Sequence, residues 1–167
     1  MGIAEQNMMG MAAGLASCNL VPVVCSYAVF NPGRNWDQLR LSVCMTSANV
    51  KIVGGHAGVG NGADGANQQA YEDVAIARVL PNLTVVVPAD YEQAKKAIAR
   101  IVEHNGPIYM RMTKPMRGGV TTMMTPMVIG EGQLFCESDD VTVIANGVMV
   151  VEAMKAAFEL DGKVSLS

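Results

Sequence analysis

At 167 residues the chain is long enough to bury a core without disulfide or metal staples, and its 50% hydrophobic and 16% charged content points to a compact fold. A net charge of -3, from 12 basic and 15 acidic residues spread along the chain, leaves no basic stripe for a phosphate backbone and excludes a nucleic-acid partner. Cys18, Cys25, Cys44 and Cys136 form no CxxC pair and have no histidine at ligand spacing. That excludes a zinc site and a disulfide framework, and reads as buried thiols in a reducing cytoplasm.

Taken in chain order, the first element is a helix over about 5–17, headed by Glu5 and ended at the Ser17/Asn19 break. Glu5 carries the only side-chain charge before Arg34. Met8 to Phe30 approaches the length of a membrane span, but Gly14, Ser17, Asn19 and Pro22 interrupt it and no Lys or Arg flanks it before Arg34. It reads instead as a helix, a turn and a buried strand in VPVVCSY, with no membrane partner. After a loop at NPG, Arg34 to Ser47 reads as a second helix, and VKIVGG as a short buried strand.

A glycine-rich loop, GGHAGVGNGADGANQQ, follows. Then YEDVAIARVL reads as a helix and LTVVVP as a strand. DYEQAKKAIARIVEHNG reads as a helix with Asp90 as N-cap and Gly106 as stop, and PIYMRM as a strand. This alternation defines an α/β fold with a mostly parallel sheet flanked by helices. Past Lys114 the charges thin out. Residues 116–138 read as a linker with one or two short strands, and 139–167 as a strand, helix and strand too short to close a second α/β domain. The expected division is therefore a domain at 1–115, the linker, and an incomplete domain at 139–167. A sheet of this kind is expected to have a strand ahead of the first helix that is missing from this chain, which would put Glu5 at a strand-to-helix junction, where ligands of such sheets sit.

Singly, each candidate residue has two readings. Glu5 is either an acid favoured at a helix start or a functional acid. Tyr27 and Phe30 are core packing or a pair presented beyond a strand end. His56, Asp64 and Gln68 lie in a loop whose small residues let backbone N–H groups approach a ligand. Within it, Gly58-x-Gly60-x-x-Ala63 loosely imitates a dinucleotide fingerprint, with Asp90 as ribose acid. Arg111 and Lys114, at the end of the last strand of this series, meet either phosphate or solvent.

In series, GIAEQN, YAVF, RNWDQLR, the run from NVKIVGG to VVVPAD, and PIYMRMTKP resemble the pyrimidine-binding domain of the transketolase family over nearly all of residues 2–115. The stretch from about 139 resembles the start of the transketolase C-terminal domain. GIAEQN and WDQLR look more like transketolase than like deoxyxylulose-phosphate synthases or pyruvate dehydrogenase β subunits.

The resemblance implies the thiamine diphosphate-binding fold and gives each residue a task. Glu5 would be the acid that hydrogen-bonds N1′ of the cofactor's aminopyrimidine, and the uncharged stretch around it is expected to supply an apolar setting. Tyr27 and Phe30 would wall the pyrimidine. His56 and Asp64 would contact ketose hydroxyls, Gln68 stands where the family commonly has a histidine, and Lys114 stands where an arginine near the substrate phosphate is usual.

The family holds the cofactor's diphosphate and its Mg²⁺ with a GDG…N motif that this chain lacks. The resemblance therefore implies a partner subunit carrying that half, as in split transketolases. The expected protein is one subunit of a cytoplasmic homo- or hetero-oligomer, inactive alone. Its reaction is transfer of a two-carbon ketol unit between sugar phosphates of pentose phosphate metabolism. A non-catalytic assembly role and a dinucleotide-binding domain are the other readings.

Overall fold

The computed structural model describes residues 1–114, 118–137 and 140–160. They fall into two compact units, one of residues 1–87 and 101–114, the other of 88–100 with the described residues from 118 onward.

The first unit is built on four strands: β1 (Val23–Tyr27), β2 (Lys51–Ala57), β3 (Thr84–Val86) and β4 (Ile108–Thr113). All pairings are parallel, in the order β1-β2-β4-β3. The interior strands are the apolar ones, as a sheet covered on both faces requires: Ile52, Ile108, Tyr109 and Met110 have no solvent exposure. Helix α1 (Glu5–Ser17) supplies Met9 and Ala12 to the same core. Helix α2 (Trp36–Gln38) runs directly into a π-helical turn, Leu39–Cys44, which buries Leu39, Val43 and Cys44. Helix α3 (Asp73–Arg78) adds Ala77.

Several expectations from the sequence are met closely: α1 occupies the anticipated residues, and Gly106 ends its segment at φ 118°, a conformation glycine tolerates. Others need correction. The second helix starts at Trp36 rather than Arg34, and all of it past Gln38 is π-helical. The glycine-rich loop coils into short 3-10 turns at Val59–Asp64 and Ala66–Gln68. β1 is an edge strand, not a buried one. Its side chains alternate, so Val24 points inward while Val23 and Cys25 are exposed. Cys18 is exposed as well, and of the four thiols only Cys44 is buried.

Lys51 has no solvent exposure at all. Its Nζ donates to Asn49 Oδ1 at 2.6 Å and to the carbonyls of His104 and Gly106 at 2.7 Å, three acceptors for the three protons of an ammonium.

In the second unit, α4 (Tyr91–Glu103), whose last three residues belong to the first unit, begins on Asp90, whose Oδ1 accepts from Gln93 N–H at 2.8 Å. This is the N-cap expected from the sequence. The same carboxylate accepts from the N–H groups of Val120 (2.8 Å) and Thr121 (2.6 Å) and from the Thr121 hydroxyl (2.6 Å). Helix α5 (Met149–Leu160) buries Val150 and Val151. No strand forms among the described residues of 118–137, where turns replace the one or two expected, and among the described residues of 140–148 only Val141 makes a bridge. The strand expected at the end of the chain lies outside the described residues. Among the described residues no helix is long and apolar enough to cross a membrane.

Candidate functional site

β1 and β2 end side by side, and the turn after each carries the polar and aromatic groups. Beyond Tyr27 the chain closes tightly: the N–H groups of Phe30 and Asn31 donate to Tyr27 O at 2.9 and 2.8 Å, and Ala28 N–H to Gly55 O at 2.7 Å. The turn brings the rings of Tyr27 and Phe30 into a near-parallel pair, 6.4 Å between centroids and 19° between planes. On β2, His56 lies against Tyr27 at 3.9 Å and 13°. His56 holds a φ of 55°, an uncommon conformation for a residue with a Cβ and one often found at functional sites.

The Arg34 guanidinium sits over the Phe30 ring, 4.7 Å from its centroid, and its Nη1 donates to Glu5 Oε2 at 3.3 Å. His56, Tyr27, Phe30, Arg34 and Glu5 thus form one contiguous series. Glu5 is 6% exposed and opens α1, where the helix N-terminus favours a negative charge. Its surroundings are not the uncharged ones expected. The neutral run of sequence stops just short of Arg34, and the turn after β1 folds that cation back onto the acid.

Asp64 and Lys114 lie apart from this series and pair with each other at 3.9 Å, on side chains 34% and 56% exposed. The glycine loop meets the end of β4 here: a Cβ on Gly60 would stand 2.7 Å from Lys114 O, so only glycine allows the approach. Gln68 is half-buried and bonds through its main chain: its N–H donates to Gly65 O at 3.0 Å and its carbonyl accepts from Asn61. That carbonyl and the one of His56 both accept from Asn61 Nδ2, which ties the two stretches together.

Three groups that carry this region have no motif in the sequence. Asn61 is one. A second is the buried cluster in which Asp73 Oδ2 accepts from Tyr109 Oη at 2.7 Å and Arg111 Nε at 2.9 Å. Burial, reinforced by the Asp73 charge, pushes the Tyr109 phenol far above its ordinary range. Arg111 drew notice in the sequence only as a strand-end cation. The third is the pair Asn31 and Asn35, which read as loop residues. Asn35 Nδ2 donates to Glu5 O at 3.3 Å and to Asn31 Oδ1 at 3.0 Å, and Asn31 Nδ2 donates to Val53 O at 3.2 Å. Among the described residues no cluster of three or more His, Cys, Asp or Glu could hold a metal ion.

A parallel α/β sheet with a buried acid at the head of its first helix, and aromatic rings at the neighbouring strand ends, defines a ligand-binding α/β domain. The family described as "Transketolase, pyrimidine binding domain" matches residues 1–118, and the chain belongs to it. A protein of Methanocaldococcus jannaschii assigned as a transketolase C-terminal section is 41% identical over 157 residues, covering 93% of this chain and 50% of the relative. The 6-deoxy-6-sulfo-D-fructose transketolase subunit of Clostridium sp. (strain MSTE9) is 38% identical over 162 residues, covering 97% and 50%. A solved split-gene transketolase, described as an inactive beta4 tetramer, superposes with a TM-score of 0.89 at 39% identity, over 99% of this chain and 54% of that one. The chain therefore spans about half the length of the relatives it matches.

Proposed function

We propose that the chain is the pyrimidine-binding part of a split, thiamine diphosphate-dependent transketolase, which moves a two-carbon ketol unit between sugar phosphates in the cytoplasm. The observation that carries this reading is the buried Glu5 carboxylate joined through Arg34 to the Tyr27–Phe30 ring pair. In this reading residues 1–115 form the pyrimidine domain, 116–138 the linker and 139–167 the start of the C-terminal domain. A partner chain holds the diphosphate and Mg²⁺, and the assembly is a homo- or hetero-oligomer. The Clostridium relative, named as a subunit, supports a separate chain of this kind.

The residues present fit the aminopyrimidine end of the cofactor. Glu5 Oε2 receives Arg34, while Oε1 has no hydrogen bond among the described residues and can take a ring nitrogen's proton or give one. When bound, thiamine diphosphate supplies the carbon nucleophile of ketol transfer. Glu5 holds the proton shared with N1′ of the ring. Tyr27 and Phe30 orient the ring by their faces and keep water from the carboxylate. Arg34, half in solvent, can swing away to uncover the Phe30 face for the ring. His56 and Asp64 bind ketose hydroxyls. Gln68 can hydrogen-bond a sugar as the family histidine does, but cannot exchange a proton near neutral pH, which narrows the sugars accepted. Lys114 meets the substrate phosphate as a point charge without the bidentate fork of arginine.

A second reading, a non-catalytic assembly chain, is favoured by Gln68 and by the exposed apolar side chains of Ile3, Met11, Leu15, Val21 and Val23. One experiment separates the two. The chain is reconstituted with a diphosphate-binding transketolase subunit, titrated calorimetrically with thiamine diphosphate, and assayed for ketol transfer as wild type and as Glu5→Gln. The proposal expects saturable binding and a turnover at least ~100-fold lower in the variant. Absence of binding in the complex selects the assembly reading, and undiminished turnover in Glu5→Gln removes the role assigned to that acid.

A further inference from the structure

Two fully buried asparagines lie behind the acid, four residues apart on the turn that follows β1. Each amide taken from water needs partners to offset its desolvation. Asn35 occupies the N-cap position of α2, where an asparagine ordinarily turns its side chain onto the helix's own N–H groups, yet it makes no such bond. Its Nδ2 reaches instead across 30 residues of sequence to the main-chain carbonyl of Glu5 at 3.3 Å, and shares its other proton with Asn31 Oδ1 at 3.0 Å. Asn31 in turn donates to Val53 O, inside β2, at 3.2 Å.

The orientation of Asn35 is dictated by these acceptors. Its Oδ1 is buried with no partner, an unfavourable position. Turning the amide over would set that oxygen against two other oxygens, Glu5 O and Asn31 Oδ1, which is worse. An orphaned acceptor is thus tolerated to keep both donations. They form an unbroken line from Val53 in the middle of β2, the strand that carries His56, to Glu5, the first residue of α1.

We infer that Asn31 and Asn35 are positioning residues for Glu5: a two-amide relay that registers the head of α1 against β2, so the carboxylate is aimed by its main chain rather than by its half-exposed Arg34 partner. The inference deepens the function proposed above and rests on it for its catalytic consequence. Its structural content stands on the hydrogen bonds alone.

Hydrogen exchange on the isolated chain tests the structural part, by comparing the amides of Met8–Gly10, which bond back to the first turn of α1, with the core of β4 (Tyr109 and Met110). Asn35→Ala should speed exchange in the α1 turn about tenfold while β4 keeps its protection, and Asn35→Ser, which keeps one donor, should restore part of the loss. Because Asn31 acts through Asn35, the variant carrying Asn31→Ala and Asn35→Ala together should exchange at the α1 turn no faster than Asn35→Ala alone. Equal acceleration at α1 and β4, no acceleration, or an additive double variant would each overturn the relay.

In the reconstituted complex, Asn35→Ala should lower kcat and leave KM for the sugar unchanged, with Asn35→Ser between it and wild type. A raised KM at unchanged kcat contradicts positioning of the acid. Glu5→Gln is run beside it. If that variant is fully active, the role of Glu5 fails while the exchange pattern still decides whether the relay exists.

Discussion

Arg34 and Glu5 stand 29 positions apart in the chain, yet Arg34 Nη1 lies 3.3 Å from Glu5 Oε2. The glutamate side chain is 7% exposed and the arginine side chain 50% exposed, so the pair is buried at one end and solvated at the other. An ion pair with so much access to water contributes only ~0–1 kcal/mol. Arg34→Gln is therefore expected to shift urea unfolding by less than ~1 kcal/mol. A larger loss would mean that Arg34 anchors Glu5 instead of covering it.

Gly54 lies where β2 passes beneath the Tyr109 ring. A Cβ there would stand 2.3 Å from Tyr109 Oη and 2.9 Å from Asn31 O. Gly54→Ala should cost about 1–3 kcal/mol by overpacking. Adding Tyr109→Phe removes the closest contact, so the double variant should lose less than the sum of the two single changes. Thermal unfolding of the four proteins of the cycle measures this, and simple additivity would show that the clash is relieved elsewhere.

Asp90 gathers the start of α4 and the Val120–Thr121 segment onto one carboxylate. Burial pushes its pKa up, but the Thr121 hydroxyl and the N–H groups of Gln93, Thr121 and Val120 outweigh burial and hold it below the ordinary carboxylate value. The folded chain releases this proton more readily than the unfolded one. The stabilisation is thus complete above the unfolded value of about 3.9 and disappears as pH falls through the lower folded value. Asp90→Ala should cost about 1–3 kcal/mol at neutral pH. The gap between wild type and variant should close on acidification, and a gap constant down to the lowest pH would refute the assignment.

Lys114 is 56% exposed and 3.9 Å from Asp64, a geometry that adds little to the fold. Lys114→Ala should leave the free energy of unfolding within ~1 kcal/mol of wild type. In the reconstituted complex it should raise KM for a phosphorylated acceptor and spare a non-phosphorylated one. An equal effect on both sugars would assign the cation elsewhere.

Much of the architecture was legible because its signals are local. Apolar periodicity marks α1 over the residues it occupies, Asp90 three residues before Gln93 marks a cap, and the alternation of helices with β-branched runs marks a parallel sheet. The π-helical turn at Leu39–Cys44 was not, since its apolar pattern is also that of an α-helix and only tertiary packing selects the wider turn. Nor was the exposure of Val23 and Cys25, because a strand does not record whether a neighbour will cover its outer side. At the candidate site, Glu5, Tyr27, Phe30 and His56 could be named one by one, whereas their joining through Arg34 could not be read. The asparagines looked like turn residues because turn chemistry and buried amide chemistry use the same side chain.

The sequence by itself determined the α/β alternation, the place of the acid at the head of α1, and membership of the transketolase pyrimidine-binding family. These rest on spacing, caps and word order, which are properties of neighbouring residues. Only the tertiary structure decided the strand order β1-β2-β4-β3, the cation laid on Glu5, and the Asn31–Asn35 line that holds its main chain. Those depend on where the turn after β1 closes in space. A run without charges along the chain does not make an uncharged site once distant residues are folded against it.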